Sequence, residues 1–239
     1  MPNFTQNTID NNSILFDPMV FSNPTPQIFD ANYWQSLKSL TGSSSGRGTT
    51  YFFSHNRKEY VLRHYLRGGL IGKVLDDQYI FTGVNKTRAW REFHMLLQMR
   101  ELKLPVPKPV AAKISRHLSF YRADLIIERI EQASDVHQLL LKKPLDKSVW
   151  RNIGATIAMF HQHQVFHHDL NIHNIMLDAQ QKVWLIDFDK CGFKKEDGWK
   201  QANLQRLERS LKKERERNEQ YHFEAIAMDC LLAGYNAIQ

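Results

Sequence analysis

Cysteine is scarce in this chain. Cys191 and Cys230 are the two thiols in 239 residues, which excludes a disulfide-stapled scaffold and points to a reducing compartment. Neither has a metal-ligand partner near it in sequence. Long apolar runs are missing too: none reaches the roughly 20 residues that a membrane-spanning helix needs. No basic residue precedes Lys38, so a secretory signal with a positive start is not expected; a cytoplasmic protein, free or lying on a membrane, is. Acidic residues are the minority charge. The chain carries 32 Lys and Arg against 25 Asp and Glu, a net charge of +7, with an isoelectric point near 9.4. That balance favours an anionic partner, whether nucleotide, nucleic acid or membrane surface, without choosing among them. Hydrophobic residues make up 42%, enough to bury a core as one domain or two joined lobes and too many for a disordered chain.

The chemistry is concentrated in two segments, His167-His168-Asp169-Leu170-Asn171-Ile172-His173-Asn174 and Val183-Trp184-Leu185-Ile186-Asp187-Phe188-Asp189. A loop offers an aspartate and, five positions on, an asparagine; a short apolar strand then ends in a second aspartate. Phosphoryl transfer from ATP needs this equipment, because its transition state asks for position and charge neutralisation rather than covalent help. One Asp orients the attacking hydroxyl while an Asn and another Asp hold magnesium on the phosphates. Asp169 is therefore the candidate base, and Asn174 and Asp187 are the candidate Mg2+ ligands. A hard cation that keeps several waters needs only one carboxylate and one amide oxygen from the protein. Any one of these residues alone would read as a turn residue or a helix cap. Their order, with a hairpin turn at Asp178 to Lys182 between them, matches the catalytic and metal-binding loops of protein-kinase-like folds.

Upstream, residues 1–32 are rich in Asn, Thr and Pro and read as an irregular arm. Thr41 to Gly48 reads as a small-residue turn in which Gly46 and Gly48 would let backbone approach phosphates, although such a turn can be merely a turn. Thr49 to Phe53 and Tyr60 to Tyr65 read as strands. The second delivers Arg63 where protein kinases carry their phosphate-gripping lysine. Arginine can fork onto two phosphate oxygens but is no conservative stand-in, and Lys73, after Gly68-Gly69, is the competing candidate. A helix from Lys86 to Arg100 buries Trp90, Phe93, Leu96 and Leu97 and carries Glu92, the natural partner for Arg63. Asp124 to Ile130 reads as the last strand of the lobe, and its end, Glu128 to Ile130, as a hinge offering backbone groups to an adenine edge. Then come a short helix at Asp135 to Leu141, a longer one opened by Asp146 with Val149, Ile153, Ile157 and Phe160 buried, and a closing apolar helix at Ala225 to Ala233. His161, His163, His167, His168 and His173 mix a helix end with a loop and make a poor metal set; His167 is expected to pack the loop. Leu204, Leu207 and Leu211 share a helix face. The basic residues around it, Arg206 to Arg217, read either as a solvated face or as a surface for anionic lipid or the acceptor's acidic groups.

The expected fold is α+β and bilobal, protein-kinase-like: an N-terminal arm (1–32), a small β-rich N-lobe (33–130) and a mostly helical, shortened C-lobe (131–239). More narrowly, Tyr60 to Leu70, Arg88 to Phe93 and Phe166 to Asn171 resemble the lipopolysaccharide core kinase family, over nearly the whole chain. The resemblance implies transfer of the ATP γ-phosphate to the 4-hydroxyl of 3-deoxy-D-manno-octulosonic acid (Kdo) on a lipid A precursor. It implies a peripheral protein on the cytoplasmic side of a bacterial inner membrane. The partners would be ATP, the Kdo-lipid A precursor and an anionic membrane surface, and no nucleic acid. Departures from the protein-kinase pattern agree with a non-protein substrate. His168 stands for the arginine that reads a phosphorylated activation loop, Asn171 for the catalytic-loop lysine and Asp189 for the glycine after Asp-Phe, and no Ala-Pro-Glu segment follows. Two other readings stay open: a kinase of heptose or another small alcohol such as an aminoglycoside, and a non-catalytic nucleotide- or lipid-binding module.

Overall fold

The computed structural model describes residues 4–45, 49–66 and 77–238. The chain divides into two units, Met1–Leu97 with Lys108–Arg129, and Gln98–Pro107 with Ile130–Gln239. The first carries the strands β1 (Thr5–Ile9), β2 (Asn12–Phe16), β3 (Leu40–Ser45), β4 (Thr49–His55), β5 (Lys58–His64), β6 (Tyr79–Ile80), β7 (Pro109–His117) and β8 (Phe120–Glu128), with the short helix α1 (Ala31–Ser36). The strands form one antiparallel sheet in the order β1-β2-β7-β8-β5-β4-β3, and β6 pairs with β8 beyond the end of β5. Helix α2 (Arg88–Glu101) starts in this unit and runs past its boundary at Leu97.

Alternation along β5 decides what the sheet presents. Tyr60 and Leu62 point into the core, and Arg63 takes the opposite face in mid-sheet, paired with Thr50 on one side and Leu125 on the other. The core beneath is aromatic: Trp34 stacks on Phe53 with centroids 3.9 Å apart and donates its indole N–H to Ile28 O at 2.7 Å.

Three segments differ from the sequence reading. Residues 5–16, expected as an irregular arm, form the β1–β2 hairpin, in which Phe16 pairs with Ala111 and Ile14 and Phe16 are fully buried. Thr41 to Ser45, expected as part of a turn, is strand, with Gly42 to Ser45 in register with Thr49 to Phe52 and Thr41 at a bulge. Strand β7 fills residues between the Lys86–Arg100 helix and the Asp124–Ile130 strand to which the sequence assigned no element. Its run from Val110 to Ala112 is completely buried between β2 and β8, and that burial overrides the turn signal of the preceding prolines. The first unit ends at Arg129, and residues 98–107 group with the second unit.

The second unit is helical. It contains α3 (Val136–Leu140), α4 (Lys147–Gln162), α5 (Trp199–Arg217) and α6 (Ala225–Asn236). Small pairings join them: β9 (Ser134–Asp135), β11 (Ile175–Leu177) and β12 (Val183–Leu185) in one sheet, and β10 (Val165–Phe166) with β13 (Gly192–Phe193) in another. Asp135 caps α3 by accepting from the Gln138 amide at 2.9 Å. Helices α4 and α6 meet backbone to backbone. A Cβ on Gly154 would lie 1.9 Å from Leu231 O, and one on Gly234 would lie 2.1 Å from Arg151 O. From that close pair α4 leads through β10 directly into the loop at His167.

Candidate active site

His167 is the pivot of the loop. It is buried, its Nε2–H donates to Ile186 O at 2.9 Å, and its Nδ1 accepts from the Asp169 amide at 3.3 Å. These partners assign the proton to Nε2. Burial lowers the imidazole pKa more than the Ile186 bond raises it, so the ring stays neutral and keeps an acceptor for the Asp169 amide.

Asn174 closes the loop on itself. Its Nδ2 donates to Asp169 O at 2.9 Å, and its backbone O accepts from the Ile186 amide at 3.1 Å. Asp169, Asn174 and the residue before Asp187 are thus linked by single hydrogen bonds. With the amide nitrogen committed, the group that Asn174 can offer a cation is Oδ1. Asp187 sits at φ +63, a left-handed conformation that costs a non-glycine residue about 1–3 kcal/mol and persists where its surroundings over-determine it. The next residue supplies that constraint. Phe188 is buried, stacks on Phe160 at 5.9 Å and packs against His167 at 4.8 Å. The Ile186 amide ties Asn174 to the residue before Asp187, and one amide oxygen and one carboxylate are the kinds of donor a hard divalent cation takes.

Asp169 has a partner the sequence reading did not find. Arg206 of α5 donates its Nε to Asp169 Oδ1 at 3.0 Å and its Nη2 to the same oxygen. Burial pushes the Asp169 carboxyl up, but the Arg206 hydrogen bond, followed by Asn171, outweighs it and holds the group below the ordinary carboxylate range. Arg206 belongs to a stripe. Asn203 donates to His167 O at 2.8 Å, Ser210 Oγ accepts from the Ile172 amide at 3.0 Å, and Glu214 reaches His173 Nε2 at 3.5 Å. Spacings of three and four along α5 put these four residues on one helix face, and that face follows the loop from His167 to His173. The detectable signal was polar residues at helical spacing beside the buried Leu204, Leu207 and Leu211.

In the first unit, Arg63 and Glu92 are in contact through Arg63 Nη2 and Glu92 Oε2. Tyr65 joins them. Its hydroxyl donates to Glu92 Oε2 at 2.6 Å and accepts from Arg63 Nη2 at 3.3 Å. Glu92 is buried, and Arg63 keeps a quarter of its side chain exposed, so the carboxylate orients a cation that still reaches solvent. Burial, then the Glu92 charge, pushes the Tyr65 phenol well above its usual range, which keeps it a donor to Glu92. Glu128 ends β8; its amide donates to Lys108 O at 2.8 Å and its carboxylate faces Lys58 and Lys108 at 3.4 and 3.5 Å. Ile130 opens the second unit. Gly46, Gly48 and the competing Lys73 lie outside the described residues.

A unit built on an antiparallel sheet, followed by a helical unit that opens onto a His-Asp loop and a strand ending in Asp-Phe, is the division of a kinase-like fold. The chain belongs to the lipopolysaccharide kinase (Kdo/WaaP) family, whose model matches residues 31–227, and it is an ATP-dependent kinase. It is 45% identical over 226 residues to 3-deoxy-D-manno-octulosonic acid kinase of Vibrio vulnificus, covering 95% of each chain. It is 47% identical over 206 residues to the enzyme of that name from Vibrio parahaemolyticus, covering 86% of this chain and 87% of the other. The Haemophilus influenzae protein of that name is 47% identical over 196 residues, covering 79% of this chain and 81% of the other. Among solved structures, the Cydia pomonella granulovirus kinase PK-1 superposes with a TM-score of 0.45 at 14% identity, covering 70% of this chain and 58% of that one.

Proposed function

We propose that the protein transfers the γ-phosphate of ATP to the 4-hydroxyl of Kdo in a Kdo-lipid A precursor, a step of lipopolysaccharide core biosynthesis. High identity to curated Kdo kinases over most of the chain supports the acceptor. The observation that carries the chemistry is the closed loop in which Asp169, Asn174 and Ile186 are linked by successive hydrogen bonds. Asp169 accepts the proton of the acceptor hydroxyl. Asn174 and Asp187 would hold Mg2+, which when bound neutralises phosphate charge. Arg63, oriented by Glu92 and Tyr65, binds the α- and β-phosphates as a fork. Gly46 and Gly48 would cover the phosphates with backbone, and the backbone around Glu128 and Ile130 would meet the adenine edge.

The protein works at the cytoplasmic side of the inner membrane as a peripheral enzyme. Among the described residues no helix is long and apolar enough to cross a bilayer. Arg209, Lys212, Lys213, Arg215 and Arg217 are exposed on α5, and basic side chains of this kind are drawn to an anionic leaflet. Binding to anionic vesicles that weakens with salt and is missing on zwitterionic ones is the expected outcome. The acceptor is tested by mass spectrometry of Kdo-lipid A precursor after incubation with ATP, locating the phosphate by fragmentation. Phosphate at the Kdo 4-hydroxyl is expected, and its appearance only on heptose or another alcohol would reject the assignment. Asp169→Ala should abolish most of this turnover while nucleotide binding survives.

A further inference from the structure

Kinase-like catalytic loops carry a lysine two residues after the base, and here that position is Asn171. Its side chain is consumed locally: Oδ1 accepts from the His173 amide at 2.9 Å, and Nδ2 donates to Asp169 O at 3.1 Å. It has no charge to offer a phosphoryl group. The guanidinium beside the base comes from elsewhere, with Arg206 delivered by α5 from 37 residues farther along.

We propose that Arg206 is a catalytic residue of this kinase, supplying the cation that the loop lacks: it holds Asp169 in place and contacts the phosphoryl group in transfer. The proposal rests on the kinase reading above. Three features of the geometry carry it. Both Arg206 bonds fall on Asp169 Oδ1, which leaves Oδ2 outside the fork to take a proton. Nη1 of Arg206 makes no hydrogen bond among the described residues and remains a donor. Arg206 is also the one cation in the stripe. Asn203 and Ser210 fasten the helix to the loop on either side of it, so its position is fixed by neutral contacts that do not need its charge.

In the step itself, the acceptor O–H proton passes to Asp169 Oδ2, and the hydroxyl oxygen's electron pair forms the bond to the γ-phosphorus. The bond from that phosphorus to the bridging oxygen breaks, and ADP leaves with the pair. The attacking oxygen must lie within hydrogen-bond reach of Asp169, so the γ-phosphoryl oxygens come within reach of the guanidinium bound to the same carboxylate. Charge spread over those oxygens is what a fixed cation stabilises.

The test compares wild type, Arg206→Ala, Arg206→Lys and Ser210→Ala in kcat, KM for ATP, the pH dependence of kcat/KM and thermal melting. Losing one fixed donor to transition-state charge typically lowers kcat about 100-fold or more. That loss is expected for Ala with the KM for ATP little changed, and Lys should recover part of it. Asp169 loses its depressing partner in the Ala variant, so the acid limb should move to higher pH; Ser210→Ala should lower the melting temperature without moving that limb. Unchanged kcat in Arg206→Ala, or a loss that comes only with a lower melting temperature and an unmoved acid limb, would overturn the proposal. If wild type were inert on the Kdo acceptor, the acceptor assignment would fall. The same variants would then be compared by ADP release to water, where an undiminished rate in Arg206→Ala would overturn the role of Arg206.

Discussion

Replacing Gly154 with alanine separates local helix preference from packing, because the two have opposite signs there. In an open helix interior the change gains about 1 kcal/mol. In α4 the new Cβ would lie 1.9 Å from Leu231 O and 2.8 Å from both Leu231 C and Tyr235 N, all backbone of α6. Real Cβ atoms do not approach below 3.0 Å, so the helices must part by about 1 Å, and no side-chain rotation relieves a clash with backbone. Overpacking of this kind costs about 1–3 kcal/mol. With a rigid partner the upper end applies, and the expected net loss is about 2 kcal/mol. For a chain of this size that lowers the melting temperature by about 4–8 °C, measurable by calorimetry or circular dichroism. Gly234→Ala, meeting Arg151 O at 2.1 Å, should behave alike, and the double variant should fall short of the sum because one separation relieves both clashes. Gly192→Ala, with nothing within 4 Å, is the control and should stay within about 0.5 kcal/mol. A melting temperature for Gly154→Ala equal to or above wild type would refute backbone contact between α4 and α6.

Glu92→Gln keeps the shape but removes the charge that Arg63 and Tyr65 share. Charge-assisted bonds of this kind contribute about 1.5–3 kcal/mol, so nucleotide affinity by calorimetric titration should weaken about 10- to 100-fold, and an unchanged Kd would dissociate the pair from phosphate binding. His64 gives a pH-dependent expectation. Its Nδ1 lies 2.6 Å from Asp124 and its Nε2 3.3 Å from Asp77, and the Asp124 hydrogen bond, against burial, raises its pKa above 6.5. The charged ring thus stabilises the fold fully below about pH 6.5 and loses that contribution as pH rises through the raised value. Melting temperature should decline more steeply above pH 6.5 in wild type than in His64→Gln; parallel profiles would remove the imidazolium from the account.

Residues placed by short motif spacing or by the apolar pattern of their own element were legible in the sequence; those marked only by a contact made in the folded chain were not. Asp169, Asn174 and Asp187 could be proposed from the sequence because five-residue and hairpin spacings tie them together without the rest of the fold. Glu92 could be assigned to Arg63 because helix α2 buries Trp90 and Phe93 on its apolar face and the strand pattern placed Arg63. Tyr65, two residues from Arg63, read as the end of a strand because nothing local marks a buried hydroxyl shared with a carboxylate. The β1–β2 hairpin was hidden for a related reason. Its strand β2 pairs with β7, about a hundred residues away, and Thr5 to Ile9 is mostly polar. Arg206 sits among so many charged neighbours that its contact with Asp169 is masked in the sequence, and only the step of three or four shared with Asn203, Ser210 and Glu214 distinguishes it.

That stripe also gives the loop from His167 to His173 a packed support within the second unit. After Asp189 the chain makes one brief strand, β13, and enters α5 at Trp199, with no Ala-Pro-Glu segment or peptide platform in between. The helix spends its polar face on the catalytic loop. It holds His167 O, the Asp169 carboxylate, the Ile172 amide and His173 in succession. A protein kinase that positions its base through a phosphorylated loop needs an arginine at the site of His168, whereas here His168 uses its amide on Cys191 Sγ at 3.2 Å and the cation arrives on a packed helix. Leu204, Leu207 and Leu211 anchor that helix with almost no exposure, so the proposed base, Asp169, is held by a packed element. The burial of three leucines on α5 therefore bears directly on the orientation of Asp169, and a substitution that loosens this packing should disturb the Arg206–Asp169 contact before it unfolds the second unit.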